Sequence, residues 1–386
     1  MNFTKKIFYW SPFLVPIATP KAVINSAQAL QTYGKEYKCS IINFFGEFNF
    51  YRNDLQNKDV KLIDFFNEKI INFFPKYGKF KSRLSFILIF LLSFFPLKNL
   101  ISKEKPDYLI IHLITSLPLF LLILFKFETK FILRISGFPK INFLRRFLWK
   151  KALSKIYMVT CPTKLTADYI ESLGIVEKKK IQILYDPIIE IRKINYQKKQ
   201  KIDFFLKKQK YFFSAGRLTK QKNFLFLCKA FKQILEKYPE MNLLIAGEGE
   251  EKNKIVEYIN KNKLHDKIIL IGFTKNIFNY LQKSEGFILS SLWEDPGFVL
   301  VEAAFSRTPI FSSNCINGPK ELIINNFNGI LFESNNKDDF VNKFEKFIEI
   351  KKQSNQLTLN GLKMSKKFTL FNHYKKFNYL LNYERN

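Results

Sequence analysis

Residues 211–249 read YFFSAGRLTKQKNFLFLCKAFKQILEKYPEMNLLIAGEG. Tyr211–Ser214 is an apolar run of strand length, followed by Gly216 and Arg217. From Phe224 to Lys237 apolar residues recur at the helical period, and Pro239 stands just beyond, where a helix cannot continue. Met241–Ala246 is a second apolar run, closed by Gly247, Glu248 and Gly249. A helix between two buried strands returns the chain to its starting edge, so the strands pair in parallel. Downstream the unit repeats. A helix over Lys252–Asn262 precedes a strand at Ile268–Leu270 that ends in Gly272. A short helix at Ile277–Gln282 precedes a strand at Phe287–Leu289 that ends in Ser290 and Ser291. A helix over Val299–Ser306 precedes a strand at Pro309–Phe311. This alternation predicts an α/β fold with a doubly wound parallel sheet.

Toward the N-terminus the alternation is less regular. Ile7–Trp10 reads as a strand, Ser11–Pro20 as a loop, Ala22–Thr32 as a helix and Cys39–Phe45 as a strand. Glu47–Lys81, rich in Phe and Lys, is given one helix. Tyr108–Ile111 is a buried strand with His112 at its end, and Leu117–Phe125 starts a helix. Strands follow at Lys130–Ile135, Ile156–Cys161 and Ile181–Tyr185, with a helix over Lys164–Leu173 stopped by Gly174. The expectation is two Rossmann-like domains, 1–192 and 210–365, with a charge-crowded linker at 193–209. The final stretch, 366–386, holds a helix at Tyr374–Tyr383 expected to pack back on the first domain. The 386 residues suffice for two full cores.

Lys and Arg total 63 against 33 Asp and Glu, a formal net charge of +30. Such a charge attracts phosphates, anionic lipid or nucleic acid alike. No zinc-finger spacing, leucine heptad or arginine-rich arm supports nucleic acid. Cys39, Cys161, Cys228 and Cys315 are too scattered for a metal knuckle and read as reduced and buried. The first ten residues read as a strand and not a signal peptide, so the protein is expected in the cytoplasm. The apolar runs Leu84–Leu97 and Tyr108–Phe125 are interrupted by Ser, Thr, His or Pro and fall short of a spanning helix. Phe65–Lys98, mixing Phe, Leu and Lys, is expected to dip into a membrane surface.

Open parallel sheets bind ligands at the carboxyl ends of their strands. In the second domain those ends carry Gly216, Arg217 and Lys222; then Gly247, Glu248 and Gly249; then Gly272 and Phe273; then Glu294 to Gly297. An arginine fork beside a lysine point charge suits a diphosphate. Gly297 precedes a helix, whose free N–H groups suit phosphate. Glu302 lies on that helix between Val301 and Ala303, where a carboxylate requires a ligand or a partner. In the first domain His112 and, after the next strand, Arg134 with Ser136 and Gly137 take equivalent places. His265 and His373 look incidental. No motif calls for a metal: the adjacent pair Asp338 and Asp339 reads as a helix cap.

These motifs resemble the retaining glycosyltransferases of family 4, of GT-B architecture. The stretch Glu294-Asp295-Pro296-Gly297-Phe298-Val299-Leu300-Val301-Glu302, followed by Ala303 and Ala304, is similar to that family's pattern of two glutamates with seven residues between them. Ser214-Ala215-Gly216-Arg217-Leu218 with Lys222, Leu244-Ile245-Ala246-Gly247-Glu248-Gly249, Gly318-Pro319-Lys320-Glu321 and Asn328-Gly329-Ile330-Leu331-Phe332 keep its order. Arg134-Ile135-Ser136-Gly137-Phe138-Pro139-Lys140 resembles a bacterial envelope-polysaccharide subgroup. After the first strand the family commonly carries a Gly-rich loop; here that place reads Val15 to Lys21 with no Gly, and Thr19 and Lys21 are the candidates for phosphate or acceptor.

The resemblance implies two domains facing a cleft and a metal-independent transfer with retention. The donor is a nucleotide diphosphate sugar, UDP- or GDP-linked, with no other cofactor. Arg217 and Lys222 would hold the diphosphate and steady its departing charge. Glu294 would hold the sugar hydroxyls, and Gly297, Phe298 and Val299 would border sugar and phosphates. Glu302 would bind the ribose, and the loop of Gly272 and Phe273 would sit beside the base, with Gly216 and Gly247 lining the same loops. His112 matches the first-domain histidine near the transferred sugar. The acceptor implied is a glycolipid, lipid-linked saccharide or lipopolysaccharide precursor at the inner face of an anionic membrane. A GT-B-type sugar-nucleotide epimerase and a non-catalytic sugar-nucleotide-binding protein are the alternatives.

Overall fold

The computed structural model describes residues 4–14, 18–66, 79–200, 210–353 and 355–382. The chain divides into two compact units, Met1–Ile188 with Leu370–Asn386, and Ile189–Thr369. The first unit runs β1 (Lys5–Trp10), α1 (Ala18–Tyr33), β2 (Tyr37–Asn43), α2 (Arg52–Gln56), β3 (Lys61–Asp64), α3 (Lys79–Glu104), β4 (Tyr108–Ile111), α4 (Ser116–Leu124), β5 (Lys130–Arg134), α5 (Phe143–Lys155), β6 (Met158–Cys161), α6 (Lys164–Ser172) and β7 (Ile181–Ile183). Its sheet is parallel, in the order β3-β2-β1-β4-β5-β6-β7. Helices cover both faces, so the central strands are continuous apolar runs. Phe8, Trp10, Leu109, Ile111 and Leu133 point to one face, packing with Ile89, Leu121 and Leu153. Ile7, Tyr9, Tyr108, Ile110 and Ile132 point to the other, against Val23, Ala27 and Leu30 of α1.

Two elements here depart from the sequence reading. Residues 47–81 hold a strand, β3, besides the short α2. It edges the sheet, with Lys61 and Asp64 exposed, so it has no apolar run to betray it. Helix α5 was missed because its apolar residues split between a buried set, Trp149, Ala152 and Leu153, and an exposed set, Phe143, Leu144 and Phe147. The interrupted run at Leu84–Leu97 is one helix, α3, continuing through Pro96. Proline there removes one helical hydrogen bond, and the buried Leu97 and Ile101 hold the turns beyond it. Leu84–Glu104 is long and apolar enough to cross a membrane by length and composition. Ser85, Ile89, Ser93 and Leu97 are nevertheless buried in the unit, while Leu84, Ile87, Leu91 and Phe95 face outward. Residues 67–78 of the membrane-dipping stretch lie outside the described residues.

The second unit runs α7 (Ile191–Lys198), β8 (Tyr211–Ala215), α8 (Phe224–Lys237), β9 (Asn242–Ala246), α9 (Lys252–Lys261), β10 (Ile268–Gly272), α10 (Phe278–Lys283), β11 (Gly286–Leu289), α11 (Phe298–Phe305), β12 (Ile310–Ser313), α12 (Pro319–Leu322), β13 (Ile330–Phe332), α13 (Lys337–Gln353) and α14 (Asn355–Ser365). The linker placed at 193–209 thus begins inside a helix, held down by buried Ile194; 201–209 lie outside the described residues. The parallel sheet has the order β10-β9-β8-β11-β12-β13. From β8 the chain winds one way to β10, then returns to β11 on the other side of β8 and winds away. The loops after β8 and β11 therefore part at a topological switch point, where doubly wound sheets bind ligands. Phenylalanines fill the core beneath: Phe311 lies 5.3 Å from Phe347 and Phe212 5.0 Å from Phe344, ring to ring. All four cysteines are buried and free.

The last helix, α15 (Leu370–Asn382), belongs to the first unit, burying Phe377, Leu380 and Leu381 beside α1. Its His373, read as incidental in the sequence, is buried and bonded at both nitrogens. Nε2 lies 2.9 Å from Ser26 Oγ and Nδ1 2.8 Å from the Tyr185 carbonyl. Ser26 Oγ is in turn 3.1 Å from the Tyr9 hydroxyl.

Burial lowers the His373 pKa from 6.5 to about 4, against the Tyr185 carbonyl and Asp186, which favour the proton. The unfolded chain then takes a proton that the folded chain refuses. Stability contributed by neutral His373 is present above about pH 6.5 and is lost as pH falls toward about 4. Glu47 works the opposite way: burial raises it to about 7, so its contribution is lost as pH rises through that value. His373→Gln is expected to unfold with a shallower loss of stability between pH 6.5 and 4 than the parent chain. Denaturant midpoints measured across that range check it, and an unchanged slope would remove His373 from the acid response.

Candidate active site

In the second unit the loops after β8 and β11 are stitched together through named polar groups. The Leu292 N–H donates to the Gln221 carbonyl at 2.8 Å, and Gln221 Nε2 donates to the Trp293 carbonyl at 2.9 Å. Ser290 Oγ donates to the Lys222 carbonyl at 2.8 Å. Across this seam Lys222 Nζ sits 2.6 Å from Glu294 Oε1, and Ser291 Oγ donates to the same oxygen at 2.6 Å. The Ser291 carbonyl is itself held by Ser313 Oγ at 2.7 Å. Glu294 Oε2 accepts no hydrogen bond among the described residues. Glu294 is only 3% exposed, so its charge is met by Lys222 and aimed by Ser291. Next to it Asn317 Nδ2 donates to Asp295 Oδ1 at 2.6 Å.

The glycines let these loops approach. A Cβ on Gly247 would stand 1.9 Å from the Gly216 carbonyl oxygen, so only glycine lets the loops after β8 and β9 touch. Gly297, at φ +88°, is in the left-handed region as it caps α11. The first-turn N–H groups of Phe298 and Val299 have no carbonyl one turn earlier within that helix, and suit an anion. Glu302 is buried one turn further in. Arg217 is exposed beside the seam. Gly272 ends β10, and Phe273 beside it is 73% exposed. The structure therefore gathers Gly216, Arg217, Lys222, Gly247, Gly272, Glu294, Gly297 and Glu302 along one sheet edge. Ser291 and Gln221 were missed as partners. Ser291 stands three residues before Glu294, the one sequence signal that pointed to it.

In the first unit His112 ends β4, its N–H bonded to the Trp10 carbonyl at 2.9 Å. Burial, then Arg134 and His373, hold its pKa well below the ordinary 6.5, so the imidazole is neutral. Arg134 takes a different part from the one its position suggested. Its Nε is 3.2 Å from Asp186 Oδ1, and its Nη2 bonds Asp186 Oδ2, both side chains being buried. It is occupied by an ion pair that ties β5 to the chain after β7. Thr19 and Lys21 lie in the first turn of α1; residues 15–17 lie outside the described residues.

The family model described as Glycosyl transferases group 1 matches residues 195–364, nearly the whole second unit. An uncharacterized glycosyltransferase of Methanocaldococcus jannaschii is 31% identical over 313 residues, covering 76% of this chain and 73% of that one. The chain belongs to the glycosyl transferases group 1. A second relative, from Campylobacter jejuni, is 26% identical over 361 residues, 91% of this chain and 90% of its own. It is named GalNAc-alpha-(1->4)-GalNAc-alpha-(1->3)-diNAcBac-PP-undecaprenol alpha-1,4-N-acetyl-D-galactosaminyltransferase. Among solved structures, Anabaena HepE in complex with UDP and glucose superposes with a TM-score of 0.72 at 14% identity, over 98% of this chain and 99% of that one. This glycosyltransferase thus has the GT-B fold of two Rossmann-like units.

Lys222 and Arg217 are expected to fail differently. Breaking a buried pair costs about 3–5 kcal/mol, because the other charge is left unpaired. Lys222→Ala should therefore lower both transfer rate and unfolding temperature, since Glu294 stays buried. Arg217→Ala, at an exposed side chain, should cost about 3 kcal/mol of rate through lost charge stabilisation, with unfolding unchanged. Calorimetric melting beside turnover separates them, and an unchanged melting temperature in Lys222→Ala would show that the pair carries no stability.

Proposed function

We propose that this glycosyltransferase moves a hexose or N-acetylhexosamine, with retention, from a UDP- or GDP-linked sugar to a lipid-linked or lipopolysaccharide-type precursor at the cytoplasmic face of a membrane. The observation that carries the reading is the Lys222–Glu294–Ser291 arrangement. It offers a cation for a diphosphate and a free carboxylate oxygen for sugar hydroxyls within one seam. As the bond from sugar to diphosphate breaks, negative charge grows on the leaving group. Arg217, Lys222 and the N–H groups of Phe298 and Val299 meet that charge. Oε2 of Glu294 accepts from the sugar hydroxyls, and Glu302 accepts from the ribose. His112 offers the transferred sugar a neutral imidazole, and Phe273 takes the base edge.

The undecaprenol-linked substrate in the Campylobacter relative's name and the UDP in the Anabaena structure support acceptor and donor. The +30 charge and the outward apolar stripe of α3 support an anionic membrane surface. Thermal-shift screening with UDP- and GDP-sugars, followed by transfer assays on membrane extract, tests the assignment. A chain stabilised by neither class of donor would sink it.

The two carboxylates should separate kinetically. Glu294→Gln should lower turnover more than affinity for the bare nucleoside diphosphate, because its contact matters most at the reacting sugar. Glu302→Gln should weaken the diphosphate and the full donor alike. Equal loss of diphosphate affinity in both, by titration calorimetry, would show the roles to be wrong.

A further inference from the structure

Helix α5 presents its apolar side chains to water in an ordered way. Phe143 is 89% exposed, Leu144 65% and Phe147 63%, and they share the outward face of the first turn and a half. This end of the helix is capped and braced. Asn142 caps the helix, its side chain accepting from the Arg145 N–H at 2.8 Å. The Arg145 guanidinium donates to the Lys140 carbonyl at 3.0 Å and lies 4.6 Å over the Trp149 ring. Trp149, Ala152 and Leu153 anchor the inner face. The three exposed side chains thus stand on a capped and anchored turn, at a cost in hydration that the fold does not recover.

Charge says what covers them. The helix sequence FLRRFLWKKALSK carries five basic residues and no acidic one. Lys150 and Lys151 are exposed on the same outward face, one turn behind the apolar tip. An apolar tip with lysines behind it matches the depth profile of a bilayer interface, acyl boundary first and anionic headgroups next. A second copy on this face would oppose lysines to lysines across a two-fold axis.

Topology says where this face lies. β5 ends at Arg134 and the chain enters α5 at Phe143, so the tip of α5 is at the carboxyl edge of the sheet. β4, the neighbour of β5, delivers His112 to that same edge. The exposed Phe138 lies in the connection between β5 and α5.

We propose that Phe143, Leu144 and Phe147 form a membrane-inserting tip that, with Lys150 and Lys151, docks the His112 edge of the first unit onto an anionic lipid bilayer. The proposal rests on the membrane reading given above and adds a second, independent anchor to α3. An acceptor carried on a lipid then rises from the bilayer at the edge where His112 stands.

The test is sedimentation of the full chain with mixed phosphatidylglycerol and phosphatidylcholine vesicles, and with phosphatidylcholine alone. Phe143→Ser/Leu144→Ser/Phe147→Ser, Lys150→Glu/Lys151→Glu and, on α3, Leu91→Ser/Phe95→Ser are compared with the parent chain, each checked by its melting temperature. The α5 apolar triple and the lysine pair are each expected to weaken binding to the mixed vesicles by at least about tenfold. Melting should be unchanged, because all these side chains are at the surface. If the α5 variants bind like the parent while the α3 variant does not, the α5 tip is overturned and the membrane reading stands. A parent chain that ignores both vesicle types overturns both. A parent chain that dimerises with concentration, and does so no longer in the α5 triple, assigns the face to a second copy and overturns the proposal.

Discussion

Strands β8 and β11 are neighbours in the sheet although β9 and β10 lie between them in the chain. The functional edge of the second unit depends on that pairing. It sets the loop carrying Lys222 against the loop carrying Glu294, 72 residues apart in sequence, at an Nζ to Oε1 distance of 2.6 Å. The ion pair gives the deeply buried carboxylate a partner that its own loop does not supply. Ser291 donates to the same oxygen, so both printed side-chain contacts of this carboxylate fall on Oε1. One backbone topology thus brings a buried carboxylate to its cation.

In the first unit a buried arginine meets a buried carboxylate. Arg134 and Asp186 neutralise one another in the interior, and His373 and Ser26 saturate a polar chain that reaches Tyr9. His112 sits within this environment and is kept uncharged by burial and by the arginine beside it. A neutral imidazole can both donate and accept a hydrogen bond, which suits a sugar hydroxyl better than an imidazolium that only donates. The helix that contributes His373 arrives from the far end of the chain, so this environment is completed by the last described residues to be made.

The surface of the first unit carries the opposite signature. Side chains that a helix ordinarily turns inward are turned outward on α3 and α5, and lysines stand behind them on α5. That arrangement defeated the helical period as a signal. A helix with apolar residues on two sides has no single stripe to count.

The alternation of apolar runs with helical stretches was legible from β8 to β12 of the second unit, because central parallel strands must be apolar on both faces. The placement of Gly216, Arg217, Lys222, Gly247 and Glu294 in loops at the carboxyl edge was legible too, since strand ends are marked by the turns that close them. The edge strand β3 was not, because an edge position relaxes the demand for burial. The pairing of Lys222 with Glu294, the occupation of Arg134 by Asp186, and the burial of His373 were decided by tertiary structure alone. Each is a match between side chains brought together by folding. Sequence order records which groups are present and how the backbone between them turns. It does not record which distant group will satisfy a charge once water has been excluded, and that depends on the full set of neighbours that packing supplies.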